Sequence, residues 1–267
     1  MNHELIDICF NFTHASFRRD EAEVLERARD AGVCAMLVTG SSVADSQAAI
    51  ALAERYPDQL YATAGVHPHM AEGWTDETRD TLRELAAHEK VRASGETGLD
   101  YNRNYSSPPA QRHVFEQQLA LACELEMPVF LHVRDAFDDF IRLVARYRDR
   151  LPDAVVHCFT GSADELHACL ALDLHVGITG WICDERRGSH LRELVSHIPA
   201  ERLMIETDSP YLTPRDLRPQ PKARRNEPAL LPHILRQVAA ARGATPAELA
   251  ARTTANARRF YRLGEDR

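Results

Sequence analysis

No two of the six cysteines (Cys9, Cys34, Cys123, Cys158, Cys169 and Cys183) stand in CxxC spacing. That excludes the common zinc-finger and dithiol redox motifs. The opening MNHELIDICF lacks a basic stretch followed by a long apolar one, so no secretory signal is expected. The cysteines are therefore read as reduced, mostly buried and cytoplasmic. Lysine is nearly missing: Lys90 and Lys222 stand alone among 32 basic residues. The first reading of that bias is base composition favouring arginine codons. It gains functional weight only where arginines cluster, because their forks suit phosphate oxygens. No apolar run approaches the ~18–20 residues of a membrane-spanning helix, so no membrane partner is expected. No glycine-rich fingerprint follows the first strand-like run, which counts against an open dinucleotide-binding sheet.

What remains is a globular composition. The chain has 267 residues, 44% apolar and 27% charged, far from a disordered balance. Its formal charge of −8 argues weakly against coating nucleic acid through bulk attraction and leaves room for a local basic patch.

Eight short β-branched or apolar runs recur along it: Leu5–Phe12, Cys34–Thr39, Leu60–His67, Val91–Leu99, Pro128–Val133, Ala154–Phe159, Leu174–Thr179 and Arg202–Asp208. Helical patterns separate most of them, at Asp20–Ala31, Val43–Arg55, Thr75–His88, Pro109–Glu126, Ala136–Arg150, Ala163–Leu172 and Gly188–Ile198. Strands alternating with helices imply a parallel sheet. Eight such units over this length predict an α/β fold of the (β/α)8 TIM-barrel type, as one domain over residues 1–267. A proline-rich stretch, Ser209 to Pro228, and two further helical segments complete the chain. The last segment opens on Thr245, Pro246 and Glu248, a capping-box signature.

Chemistry in such a barrel sits at the C-terminal ends of the strands. There the fourth run carries Glu96, the fifth His132, the sixth His157 and the eighth Asp208. One histidine at a strand end is more often a satisfied core residue. Four nitrogen and oxygen donors converging on one rim need each other or a cation, because an unpaired buried carboxylate costs several kcal/mol. Glu96, His132, His157 and Asp208 are therefore read as a metal site. Imidazole with carboxylate suits Zn, Mn or Fe, and carboxylate with water suits Mg.

These residues lie in segments that resemble the TatD-type metal-dependent nucleases of the amidohydrolase-like barrel superfamily. The matching stretches are Ala64–His69, Gly95–Asp100, Met127–His132, Val156–Gly161, Gly177–Trp181, Ile205–Leu212 and Arg224–Pro228. The resemblance implies a metallo-dependent hydrolase fold and a Mg²⁺-dependent 3′-to-5′ exonuclease of single-stranded DNA and RNA, with Mn²⁺ or Zn²⁺ as other ions. It further implies a part in repairing oxidatively damaged DNA. Glu96, His132 and His157 match the family's metal ligands. Asp208 matches the aspartate that helps to hold the metal or the attacking water. Many relatives carry His-x-His on strand one, where this chain has Cys9 and Asn11. That departure weakens the case for a second tightly bound ion. The lysine that bridges two metals in some hydrolases of this fold is missing too, and any bridging role falls to Glu96.

Glu96 and Asp208 are the expected catalytic pair, with Asp208 accepting a proton from water. His67, late in the third run, is expected to contact substrate phosphate or orient a ligand. Residues 211–226 hold five basic side chains against one acid, a local balance of +4. Arg134, Arg215, Arg224 and Arg225 are the expected phosphate contacts. Tyr101, Tyr105, Trp181 and Tyr211 offer rings for stacking unpaired bases, while Phe159 is expected in the core. A monomer is expected. The competing readings are an esterase or deacylase acting on the 3′ end of tRNA, a small-molecule metallohydrolase, and a silent binding module.

Overall fold

A computed structural model describes residues 3–221 and 225–264. Its strands are β1 (Leu5–Phe10), β2 (Val33–Val38), β3 (Leu60–Ala64), β4 (Val91–Asp100), β5 (Val129–Arg134), β6 (Ala154–Val156), β7 (His175–Ile178) and β8 (Leu203–Ile205). Each pairs in parallel with its sequence neighbour, in the order β1 to β8. The ring closes where β1 and β8 run out: Asn11 N donates to Ser209 O at 2.9 Å and Asp208 N to Cys9 O at 3.0 Å. This is the expected (β/α)8 barrel.

Helices α1 (Glu21–Asp30), α2 (Val43–Arg55), α3 (Asp76–Ala86), α4 (Pro108–Glu124), α5 (Phe137–Tyr147), α6 (Ala163–Ala171) and α7 (Ser189–Leu194) alternate with the strands, and α8 (Leu231–Arg242) and α9 (Pro246–Tyr261) follow β8. The capping box expected at α9 is formed, Thr245 accepting from Glu248 N. Among the described residues no helix is long and apolar enough to cross a membrane.

Strand periodicity sorts the core into two zones. Along β2, Met36 and Val38 pack beneath the helices while Ala35 and Leu37 pack inside the barrel. The inner zone joins Ile6, Ile8, Phe130, Val155 and Met204 to Phe260 and Tyr261 of α9. Helix α9 is tied to the N-terminal ends of β1 and β8 by Thr254 Oγ1 donating to Glu4 O and Asn256 Nδ2 to Leu203 O. The opposite, C-terminal end of the barrel stays polar.

Several strands are shorter than the sequence pattern suggests. Strand β3 stops at Ala64, β6 at Val156 and β8 at Ile205, so His67, His157 and Asp208 stand just beyond the ladder. Cys158 and Asp208 have φ of +46° and +53°, which ends an extended run.

Candidate metal and active site

The inward positions of the inner zone lead straight to the site. Two residues beyond Phe130, Val155 and Met204 lie His132, His157 and Glu206, so strand alternation points all three at the barrel mouth. Glu96 needs more. Simple alternation from the inner Ala93 would point Gly95 and Thr97 inward. The pairing of β4 with β5 shifts register between Ser94 and Thr97, and this irregularity turns Glu96 to the interior. Gly95, at φ +136°, is required there, since a Cβ would sit 2.4 Å from Phe130 O. Glu96 N donates to Gly40 O at 2.8 Å.

Three imidazoles surround one carboxylate oxygen. Glu96 Oε1 lies 2.9 Å from His132 Nδ1, 2.9 Å from His157 Nε2 and 3.5 Å from His67 Nε2. His132 Nδ1 and His157 Nε2 are only 3.3 Å apart. The far nitrogen of each ring faces a second carboxylate: His132 Nε2 is 3.4 Å from Asp100 Oδ2, and His157 Nδ1 is 3.6 Å from Glu206 Oε2. Carboxylates in that position hold the N–H on the far side and leave a lone pair facing inward. Two inward lone pairs and a carboxylate oxygen within 3.3 Å repel one another unless protons or a cation sit among them. At 3.4 and 3.6 Å these far-side contacts are electrostatic rather than well-formed hydrogen bonds, and among the described residues buried His157 Nδ1, His132 Nε2 and Glu206 Oε2 have no better partner. The donor chemistry, imidazole with carboxylate, fits a divalent cation.

The electrostatics agree. Burial pushes Glu96 upward, but His157, His67 and the bond from His132 hold it well below the usual carboxylate range. Burial depresses His157 and His132, yet the carboxylates around them raise both. His67 behaves differently. Burial drives it down to about 3, and its Nδ1 accepts from His69 N at 3.1 Å. That bond assigns the proton to Nε2, aimed at Glu96, so a neutral His67 is a donor at the rim. Burial lifts Asp208 to about 6, against the pull of His157 and with repulsion from Glu96 and Glu206.

Asp208 has its own supports. Its Oδ1 accepts from Asn11 Nδ2 at 2.9 Å, and Cys9 Sγ points at it from 3.5 Å. The Cys9 and Asn11 side chains at the end of β1 thus both contact this aspartate. Cys9 is buried as expected, and burial keeps its thiol protonated. Donor atoms fall into two compact sets at the mouth, His67–Glu96–His132 and Cys9–His157–Glu206, each within 4.8 Å.

Sequence reasoning passed over Glu206 and Asp100. Glu206 is fully buried and accepts from Cys158 N. Asp100 accepts from His69 Nε2 at 2.8 Å as well as facing His132. Counting alternate positions back from Asp208 along strand eight would have found Glu206. Asp100 belongs to the same quoted motif as Glu96, four residues on.

The arginines divide. Arg134 ends β5 and, with Phe159, Trp181, Arg187 and His190, lines a cleft of about 350 Å³ at the mouth. The Arg187 guanidinium lies 4.3 Å from the centre of the Trp181 ring. A larger neighbouring depression of about 710 Å³ shares Asp135 and Glu165 with that cleft and adds Asp138 and Asp139 against Arg142, a net negative lining that disfavours phosphate. Arg215 is half-exposed, with Nε 3.7 Å from Asp184 Oδ2. Arg225 is spent elsewhere: it bonds Asp20 and Glu227, carboxylates on both sides of its fork. In this structure the Arg225 fork, expected at phosphate, is held in a structural tie to these two acids. Arg224 lies outside the described residues. Phe159 is buried, as expected.

A family model described as TatD related DNase matches residues 6–262. Over 259 residues the chain is 54% identical to the "3′-5′ ssDNA/RNA exonuclease TatD" of Erwinia tasmaniensis, covering 97% of this chain and 100% of that protein. It is equally 54% identical over 261 residues to the Dickeya dadantii protein of the same name, covering 98% and 99%. Among solved structures, YJJV, a TatD homologue from Escherichia coli, superposes with a TM-score of 0.87 at 29% identity, covering 97% and 98%. A phosphotriesterase homology protein from Escherichia coli shares the fold, with a TM-score of 0.65 at 14% identity over 97% and 98%.

Proposed function

The chain belongs to the TatD-related DNase family of metal-dependent nucleases, and from that premise we propose that it removes nucleotides from the 3′ ends of single-stranded DNA and RNA. The observation that carries the reading is the convergence of His132 Nδ1 and His157 Nε2 on Glu96 Oε1 at 2.9 Å. The names of the Erwinia and Dickeya relatives supply the polarity and the substrate.

Glu96, His132 and His157 would hold the cation, with Asp208 as an auxiliary oxygen donor. Carboxylates ring the site, which favours Mg²⁺, while the two imidazoles also suit Mn²⁺ or Zn²⁺. Bound there, a divalent cation neutralises charge on a phosphoryl oxygen and acidifies water. Asp208 takes the proton of the attacking water, its Oδ1 steadied by Asn11. Asp100 and Glu206 fix the orientation of the two rings. His67, with its Nε2–H aimed at Glu96 Oε1, orients that ligand, and Arg134 supplies positive charge for the phosphates, with Arg187 and Arg215 beside it around Asp184.

Unpaired bases need ring faces. The large apolar side chains exposed among the described residues are Met70, Tyr105 and Tyr211. They follow β3, β4 and β8, so all three lie around the mouth, where bases can stack. The site is assembled from strand ends of one chain, which supports a monomeric working unit over residues 1–267. The six unpaired cysteines suit a reducing cytoplasm. Repair of oxidised DNA is the setting we propose for the activity.

The test uses single-stranded oligonucleotides labelled at either end, with Mg²⁺ or with EDTA. Expected is laddering from the 3′ end that needs the ion and disappears in Glu96→Ala and His157→Ala. Intact oligonucleotides together with amino acid released from charged tRNA would overturn the nuclease in favour of a deacylase.

A further inference from the structure

A third group of mixed donors, sharing no residue with the two at the barrel mouth, comes together between the loops after β7 and β8 and the start of α8. Cys183 ends the short 3-10 turn after β7, Asp216 lies in the long loop after β8, and His233 sits in the first turn of α8. One ligand atom from each lies within 4.8 Å of the other two. His233 Nε2 is 2.7 Å from Asp216 Oδ1. Cys183 is buried, while the Asp216 and His233 side chains keep 26% and 15% exposure, an entry path for an ion.

The loop that carries Asp216 has little regular structure of its own, yet it packs hard against the turn that carries Cys183. Gly180 opens that turn, and a Cβ there would lie 2.5 Å from Leu212 O and 3.3 Å from the Pro214 ring. Arg215 reaches the same turn through Asp184.

We propose that Cys183, Asp216 and His233 bind a zinc ion, with water as fourth ligand, and that this ion ties the loop after β8 to the turn after β7. One thiolate, one imidazole and one carboxylate from three separate segments form a donor set that suits Zn²⁺ better than Mg²⁺. Bonds of about 2.0–2.3 Å in a tetrahedron place ligand atoms roughly 3.3–3.8 Å apart, so the set closes with side-chain adjustment alone. Without the ion, Asp216 and His233 share a hydrogen bond and the thiol keeps its proton. Burial and then the Asp216 carboxylate push that thiol well up, with Arg192 opposing. Uptake therefore releases one proton to solvent as the sulfur–metal bond forms, and affinity weakens as pH is lowered. The proposal is independent of the reading of the barrel mouth.

Cobalt is the probe, because a thiolate–cobalt bond gives a charge-transfer band in the near ultraviolet. The full chain is titrated with Co²⁺ in a Glu96→Ala/His157→Ala background, which disables the mouth. Expected is one Co²⁺ per chain with that band, displaced by Zn²⁺. Cys183→Ser abolishes the band, and His233→Ala weakens binding by about 100-fold or more. A missing band, or one that survives Cys183→Ser, overturns the site. Should Cys183→Ser not fold, the partly exposed His233→Ala and Asp216→Asn decide: weaker Co²⁺ binding in both supports the site, and unchanged affinity in either overturns it.

Discussion

Replacing Arg225 by Ala separates a structural tie from a phosphate grip. The guanidinium donates from Nη1 to Asp20 Oδ1 at 2.9 Å and from Nη2 to Asp20 Oδ2 and Glu227 Oε1, both at 2.6 Å. It also covers Phe17, 4.7 Å from the ring centre. Phe17 is fully buried against Phe10 and Phe12. Both carboxylates are partly exposed, so each ion pair is worth about 0.5–1 kcal/mol. The cation–π contact adds about 0.5–1 kcal/mol, and uncovering some 40 Å² of aromatic surface costs about 1 kcal/mol. Arg27 bonds the same two acids, so neither is left uncompensated, which caps the loss. The expected destabilisation is therefore about 2–3 kcal/mol, or roughly 4–10 °C in Tm for a chain of this size. Urea unfolding at unchanged m reads it directly. Oligonucleotide cleavage well below the midpoint is expected to keep its KM within about twofold. Unchanged unfolding, with KM raised several-fold and a salt slope flattened by about 0.7, would refute the tie and restore Arg225 as a phosphate contact.

Burial lifts Asp7 to about 7, against ~3.9 in an unfolded chain. The stability this proton confers is complete below the unfolded value and is lost as pH rises through 7, by up to about 1.4 kcal/mol per pH unit. In metal-free protein Asp7→Asn is expected to remove that slope between pH 5 and 7; parallel curves for the two proteins would refute it. Asp208→Asn is expected to lower kcat on the order of 10²–10⁴-fold with ion affinity changed less than about tenfold; loss of the ion itself would make Asp208 a principal ligand and refute its main role as the base. Tyr105→Ala and Tyr211→Ala are expected to raise KM about 5- to 100-fold on single strands with stability within about 0.5 kcal/mol; unchanged KM in both would remove the stacking role.

The barrel was legible because every strand announces itself by β-branched or apolar residues, and because all seven connections between the strands read as helices. The site was legible where a side chain continues the inward alternation of its strand, as His132 and His157 do. Glu96 was identified by residue type and motif, since the register shift that turns it inward leaves only Gly95 as a trace in the sequence. Glu206 was missed although the same alternation marks it, because Asp208 two residues later carried the familiar motif. At Arg225 the sequence reading and the structure diverge for a different reason. Charge looks free when only neighbours in sequence are counted, and its main partner, Asp20, is 205 positions away. The thiol of Cys9 and the amide of Asn11 were legible as a departure from relatives, but their shared contact with Asp208 is a product of barrel closure between β1 and β8.

The claim at the centre is that cleavage depends on an ion held by Glu96, His132 and His157. The most direct measurement is ion binding and single-turnover cleavage on the same samples, with Mn²⁺ as the titrant, for the native chain, Glu96→Ala, His132→Ala and His157→Ala. Expected is joint loss: each variant binds the ion at least about tenfold more weakly and cleaves correspondingly less, and the native chain stops in excess EDTA. A variant that no longer binds the ion yet cleaves at the native rate, or a native chain indifferent to EDTA, would contradict it.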